Sequence, residues 1–304
     1  MSTYLDQYLK TEDLLGPLMP SGSTFADIQT ALNLSTNEVV YLQRGVTYSG
    51  AYSQISVPAG KALVGVGGGD GTTYGSGCPR LQVTSGSWST PFVLLNNGAA
   101  MRGVFVERTG GSGSGNGFGV QGSGSNIIEE VTVRAWSAAT FGIIAGFGGA
   151  RLMRCHAVNG VSGCGGFRIQ GSGDERTLVY GCTAKSNNGI GFQFDGGAAT
   201  NFSDCTSESN ASHGFQVIGS NTNVKIHNCY AASNGGDGFL SAGGNDGMEI
   251  SDCYSVSNTG WGFITTTPTG SARSRILDTG ARANTAGNYS LAAGWLNDGN
   301  WAAS

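Results

Sequence analysis

The chain has 304 residues, 53 of them glycine, with charged residues at 12% and a formal net charge of −4. A hydrophobic share of 39% is too high for a disordered low-complexity chain, and no run of Lys or Arg offers a footprint for a phosphate backbone. Nucleic acid is therefore not an expected partner, and no apolar run approaches the roughly 18 residues of a membrane helix, so neither is a bilayer.

The opening "MSTYLDQYLKTEDLL" carries acids where an export signal carries basic residues, so no secretory address is read from it. Tyr4, Leu5, Tyr8, Leu9 and Leu15 fall roughly on one helical face before the break "GPLMPSGS", and residues 1–22 are expected to form a docking or capping helix segment. "STFADIQTALN", residues 23–33, starts on Ser/Thr, holds Asp27 in its first turn and puts Phe25, Ile28 and Leu32 on one face, the pattern of a short capped helix. "NEVVYLQRGVTYSG" and "ISVPAGKALVGVGGG" then read as strand, turn and strand.

From the middle of the chain onward one pattern repeats. "CTAKSNNGIGFQFDG" from Cys182 returns as "CTSESNASHGFQVIG" from Cys205, "CYAASNGGDGFLSAG" from Cys229 and "CYSVSNTGWGFITT" from Cys253. Five of the seven cysteines, Cys155, Cys182, Cys205, Cys229 and Cys253, step by 27, 23, 24 and 24 residues; Cys78 and Cys164 stand outside the series. Gly-Phe pairs line up as Phe118, Phe167, Phe192, Phe215, Phe239 and Phe263, with "FGII" at 141–144 filling the gap, and asparagines as Asn187, Asn210, Asn234, Asn258 and Asn284, where Thr279 takes the cysteine place. A period of this length means stacked supersecondary units.

Within one unit, Val224 and Ile226, Cys229 and Ala231, and Phe239 and Ser241 mark three short runs of period-2 alternation broken by Asn and Gly. Three short strands in about 24 residues make one rung of a coil that buries its inner face only by stacking on its neighbours, about 4.8 Å away. The expected fold is all-β, a single-stranded right-handed parallel β-helix over residues 23–294 with an N-terminal helical cap, closed by a C-terminal tail, 295–304, that carries Trp295 and Trp301. The cysteines are expected as buried free thiols, since they form no CxxC and match no zinc spacing, and the asparagines as corner residues tolerant of left-handed backbone. No metal and no cofactor is expected.

The helix, "VVYLQRGVTY" and "VPAGKALVGVG" resemble the N-terminal cap and first coil of the pectate-lyase-like superfamily, which includes phage tailspikes; with the repeats, the resemblance spans about residues 23–294. It implies the fold, but that fold carries lyases, hydrolases, epimerases and non-catalytic virion proteins. The repeats are most similar to the catalytic module of mannuronan C5-epimerases, whose motif runs aromatic-Gly-Phe-Asp-Pro-His. "FGIIAG", residues 141–146, matches at Phe141 and Gly142 but has Ile144 in the Asp place and Gly146 in the His place, and Gln170 falls about where that family carries another Asp. The proton-transferring groups are absent, so that activity does not carry over.

Outward positions beside the Gly-Phe strands are Arg168/Gln170, Gln193/Asp195, Gln216/Ile218, Leu240/Ala242 and Ile264/Thr266, with Asp195 the one carboxylate, short of the pair a glycosidase uses. His213 and Asp237 fall one rung apart, Arg168 and Asp195 are placed to stack, and Lys185 lies on a nearby corner; these read either as a catalytic constellation or as solvated ion pairs across rungs. Lys225 and Glu249 hold equal places on successive rungs, a structural arrangement, and His156 and His227 read as isolated outward residues. Tyr230 and Tyr254 form an outward aromatic pair, suited to a sugar ring or to cover by a loop or subunit. Ile218, Leu240 and Ile264 read as an apolar outer stripe, expected at a trimer interface.

Three function classes stay open. One is a phage virion structural or attachment protein, tailspike-like or capsid-decorating, trimeric and located in the virion with other virion proteins as partners. Another is a secreted polysaccharide lyase, hydrolase or epimerase using Arg168, Asp195, His213 and Asp237. The third is a carbohydrate-binding module using Tyr230 and Tyr254, with a polysaccharide as partner.

Overall fold

The computed structural model describes residues 19–34, 36, 38–66, 77–113, 118–137, 141–146, 149–170, 176–196, 199–219, 223–268 and 274–303. The expected segment at residues 1–22, with Tyr4, Leu5, Tyr8, Leu9 and Leu15, lies outside the described residues up to position 18.

Helix α1, Phe25–Asn33, forms where the capping signal places it. Thr24 Oγ1 accepts from the Asp27 amide at 3.2 Å and Asp27 accepts in return from the Thr24 amide at 3.0 Å, so two donors that no helical carbonyl can reach are satisfied. Its buried residues Phe25, Ile28, Ala31 and Leu32 close the end of the core, with Phe25 edge-on to Phe92 at 4.9 Å. The helix also caps a sheet edge. Gln29 accepts from the Ser56 amide at 2.7 Å and donates to the Ser56 carbonyl at 3.1 Å, which blocks the open side of the strand Ile55–Val57 from pairing with another chain.

Among the described residues the strands build three long parallel sheets of eleven, eleven and ten strands. The first sheet runs from Val39–Leu42 to Trp295–Asp298, the second from Thr47–Ala51 to Trp301–Ala303, and the third from Ile55–Val57 to Gly287–Ser290. Each rung contributes one strand to each sheet, as Lys225–His227, Tyr230–Ala232 and Phe239–Ala242 do. A side ribbon pairs Ser87–Trp88 with Ser112–Gly113.

The expected C-terminal tail is instead part of the coil. Trp295–Asp298 pairs with Ser274–Leu277 and Trp301–Ala303 with Gly280–Arg282, because the alternation of these last residues continues the first two sheets over an otherwise open edge.

The interior is a set of ladders. Phe167, Phe192, Phe215, Phe239 and Phe263 stack in register with centroids 4.7 to 4.9 Å apart and planes within 4° of parallel, and Tyr289 extends the stack at 5.2 Å. Rung spacing sets the distance, and each buried ring stabilises the fold by roughly 1.5–3 kcal/mol. Phe118 does not belong to the ladder. The register places Val120 and Ile143 beneath Phe167, while Phe118 and Phe141 fall two residues earlier and form an apolar cluster of their own with Ile144. The recurring feature is the glycine before the inward residue. At Gly238 a Cβ would lie 2.1 Å from Ser255 Oγ and 2.8 Å from the Gly262 carbonyl, so no larger residue fits.

Cys155, Cys182, Cys205, Cys229 and Cys253 are buried free thiols, and Thr279 is fully buried in the next place. The asparagine ladder is buried too, but the left-handed backbone belongs to its neighbour. Ser186, Ser209, Ser233 and Ser257 take φ values of 54° to 56°, leaving each asparagine free to bridge rungs. Asn210 donates through its amide nitrogen and Nδ2 to Asn234 Oδ1 at 3.1 and 3.0 Å, and Asn234 does the same to Asn258 at 2.9 and 2.9 Å. The corners between the first two sheets are also left-handed, at Asp204, Asn228, Asp252 and Asp278.

Candidate functional site

On the outer face of the third sheet, register fixes two columns. One carries Gln121, Ile144, Arg168, Gln193, Gln216, Leu240, Ile264 and Ser290, and in the other Asp195 pairs with Ile218 and Ile218 with Ala242. The apolar stripe therefore changes shape. Leu240 and Ile264 are direct neighbours, whereas Ile218 stands in the adjacent column, and all three are half-buried.

Arg168 forms an ion pair with Asp195 across the two columns, so the one carboxylate among the described residues of these columns is held by a guanidinium. At the other margin of the sheet His213 Nδ1 lies 3.1 Å from Asp237 Oδ2. Asp195 aligns with Ile218, five residues beyond His213, which separates the two pairs by roughly 15 Å at strand rise. The four residues read as catalytic make two cross-rung pairs and do not converge on one point.

The His213–Asp237 pair is built into the corner ladder. Asp237 Oδ1 accepts from the Trp261 amide one rung on at 2.7 Å, and the Asp237 amide donates to His213 Nδ1 at 3.0 Å. Neutral His213 accepts that amide on Nδ1; protonated there, it donates to the carboxylate instead. Burial pushes the Asp237 carboxyl up, but the His213 hydrogen bond, the Trp261 amide and the imidazole charge together hold it below the ordinary carboxylate value. Lys185 meets Glu208 at 2.9 Å, a solvated pair across rungs. Glu249 aligns with Lys225 as expected but binds Arg275, at 2.6 Å. His227 is not isolated: its Nδ1 lies 3.2 Å from both Ser251 Oγ and Asp252 Oδ2. His156 is half-buried, and burial lowers its pKa.

The second sheet carries the aromatic feature. Tyr230 and Tyr254 are in register and stack at 5.9 Å with planes 10° apart, and Trp301 continues the column at 5.6 Å from Tyr254. Gly280 makes this possible. It lies between Tyr254 and Trp301 in register, and a Cβ there would come within 2.4 Å of the indole and 2.7 Å of the Tyr254 ring. Tyr230 is 38% exposed and Trp301 50%, so the three rings present a continuous outer surface. Trp301 escapes the sequence reading because no cysteine precedes it; its place follows from counting two residues past the corner glycine, Gly299.

Sequence reasoning also misses a charged network near the N-terminal end. Arg80 and Arg134 meet Glu107 at 3.1 and 3.7 Å, and Arg154 and Arg102 both meet Glu129 and Glu130, with Arg154 3.0 Å from Glu130 and Arg102 3.6 Å from it. Glu129 is fully buried, and its Oε2, 3.7 Å from Arg102 Nε, has no hydrogen-bond partner. Among the described residues no group of three or more His, Cys, Asp and Glu is placed to hold a metal ion.

These features define an all-β parallel solenoid whose outer wall carries paired charges and one aromatic column. The chain belongs to the right-handed β-helix family: the model of the right handed beta helix region matches residues 94–272. No curated protein sequence matches. Among solved structures, the A-module of mannuronan C-5 epimerase AlgE4 from Azotobacter vinelandii aligns with a TM-score of 0.63 at 14% identity, over 95% of this chain and 94% of that one. The ORF18 protein of Geobacillus virus E2 aligns with a TM-score of 0.57 at 13% identity, over 98% of this chain and 63% of that one. The catalytic domain of a GH87 alpha-1,3-glucanase aligns with a TM-score of 0.52 at 11% identity, over 93% and 68%. At such identities the shared property is the fold. The two outward columns hold no Asp and His together on any described rung, which is the combination the epimerase motif carries.

Proposed function

We propose that this protein is a non-catalytic, glycan-binding β-helix of the virion attachment type, assembled as a trimer. The observation that carries the reading is the Tyr230–Tyr254–Trp301 column: three neighbouring rings, brought together over Gly280, form an exposed aromatic surface against which sugar rings pack. The likeness of its fold to the Geobacillus virus E2 ORF18 protein supports the virion setting, and its likeness to carbohydrate-active β-helices supports the ligand class. Leu240 and Ile264, with Ile218 beside them, are the surface proposed to be shared between subunits.

The test is a binding screen against neutral and acidic bacterial and algal polysaccharides, run alongside assays for new reducing ends and unsaturated products. Binding without turnover, weakened by Tyr254→Ala, is the expected result. Turnover abolished by His213→Ala or Asp195→Asn would replace this reading with that of a polysaccharide-modifying enzyme, which the 3.1 Å His213–Asp237 contact favours. A monomeric mass at micromolar concentration would remove the trimer from the proposal.

A further inference from the structure

The first sheet carries a feature that the aromatic platform does not use. At its leading edge, Arg176, Ala199, Thr200, Asn201, Asn223 and Lys225 line a cavity of about 470 Å³ that spans three successive rungs. Two of these residues are cations and two are amides. Arg176 and Lys225 form no ion pair with a described carboxylate, although most other basic side chains of the solenoid are matched: Arg80, Arg102, Arg134, Arg154, Arg168 and Arg275 each meet an acid. The acid nearest in register to Lys225 is Glu249, and it is drawn away to Arg275 at 2.6 Å.

Thr200 alternates inward with Phe202 and is 1% exposed, so the open side of the cavity is formed by Arg176, Ala199, Asn201, Asn223 and Lys225. The outward column continues upstream to Arg151, two rungs before Asn201, so no carboxylate interrupts this column between Arg151 and Lys225. Arg151, Arg176 and Lys225 thus stand without a carboxylate partner among the described residues, in a chain of net charge −4.

We infer that this cavity binds the acidic groups of a negatively charged saccharide, carboxylate or sulfate ester, lying along the solenoid axis. The inference rests on the glycan-binding reading above and names the charge class of the glycan. Arg176 and Lys225 stand on rungs two steps apart, about 10 Å. That interval suits a polymer with acidic groups along its length better than one small ion, and Asn201 and Asn223 supply donors and acceptors for hydroxyls between the charges. Arg176 contributes the planar fork that pairs with a carboxylate or sulfate in two-point fashion, Lys225 a point charge.

The experiment is calorimetric titration with a uronic-acid hexasaccharide, its carboxyl-reduced neutral form and inorganic sulfate, on the wild type, on Arg176→Gln/Lys225→Gln and on Tyr254→Ala/Trp301→Ala. The expected result is a preference of about tenfold or more for the acidic hexasaccharide that weakens with added salt and disappears in the double-Gln variant, whose melting temperature stays that of the wild type. Equal affinity for the two hexasaccharides would overturn the inference and leave the platform standing. Sulfate competing at the concentration of the hexasaccharide would reduce the site to a simple ion site and overturn it as well. Acidic binding lost in the double-Gln variant but untouched in the aromatic variant would support the inference and overturn the platform. Failure of both hexasaccharides to bind the wild type would overturn both.

Discussion

Asp237 joins three rungs: its Oδ2 lies 3.1 Å from His213 Nδ1 on the rung before, and its Oδ1 accepts from the Trp261 amide on the rung after at 2.7 Å. A carboxylate so placed is a coupling element of the corner. It faces an imidazole on one side and a backbone amide on the other.

That arrangement sets a pH dependence. The Asp237 carboxyl is held below its ordinary value, so its stabilisation is fully present above the unfolded-state pKa of about 3.9 and is lost as pH falls through the depressed folded value. Asp237→Asn is expected to melt below the wild type at pH 7, and the gap to close as both are acidified through the depressed folded value. Thermal melts across pH check this; a gap that stays constant into acid would show that the charge of Asp237 contributes nothing.

The asparagine ladder should be costly to interrupt. In Asn234→Ala the amide of buried Asn210 loses its acceptor, at about 1–3 kcal/mol, and the side-chain bonds of Asn234 to Asn210, Ser207 and Asn258 are lost with it, while Asn210 Nδ2 keeps the Ala184 carbonyl and Ser207 Oγ. The variant is expected to lose about 3 kcal/mol or more of unfolding free energy in denaturant titrations. A loss below about 1 kcal/mol would mean that water enters the corner and replaces the side chain.

For the platform, Trp301→Ala removes one of three rings and is expected to weaken glycan binding by roughly 1 kcal/mol, about fivefold. Gly280→Val should do the same without removing a ring, since its side chain would displace the Trp301 indole from Tyr254. Affinity measurements on the two variants are the check, and unchanged affinity in both would move the ligand elsewhere on the wall.

Thiol chemistry reports on the core. Six cysteines are buried and Cys78 is half-buried, and burial pushes the Cys182 and Cys229 thiols well up, away from the reactive thiolate. A thiol reagent is expected to modify Cys78 in the folded protein and the other six only on unfolding. Rapid native reaction of more than one thiol would contradict the ladder.

Much of the coil was legible in advance because its period, its alternation and its glycines are local properties. The helix cap at Thr24, the inward Phe column from Phe167 onward and the buried thiols all follow from that pattern. Phe118 and Phe141 stand off the ladder for a physical reason: the phenylalanine precedes the glycine in these earlier rungs, and the register follows the glycine that admits the next carbonyl. Composition points to asparagine for the left-handed corner, whereas serine adopts it and releases the asparagine amide to bridge rungs.

The site was less legible, because proximity across rungs depends on loop lengths that alter the offset between coils. His213 and Asp237 were foreseeable, being 24 residues apart in a run of near-equal rungs. The pairing of Arg154 with Glu129 and Glu130, the seating of Trp301 against Tyr254 over Gly280, and the joining of Arg176 with Lys225 around one cavity were not. By itself the sequence determined what repeats and which side chains must be buried, since alternation and turn chemistry act within a few residues. Only the tertiary structure decided which outward residues meet, since that depends on how each coil is offset on the one before.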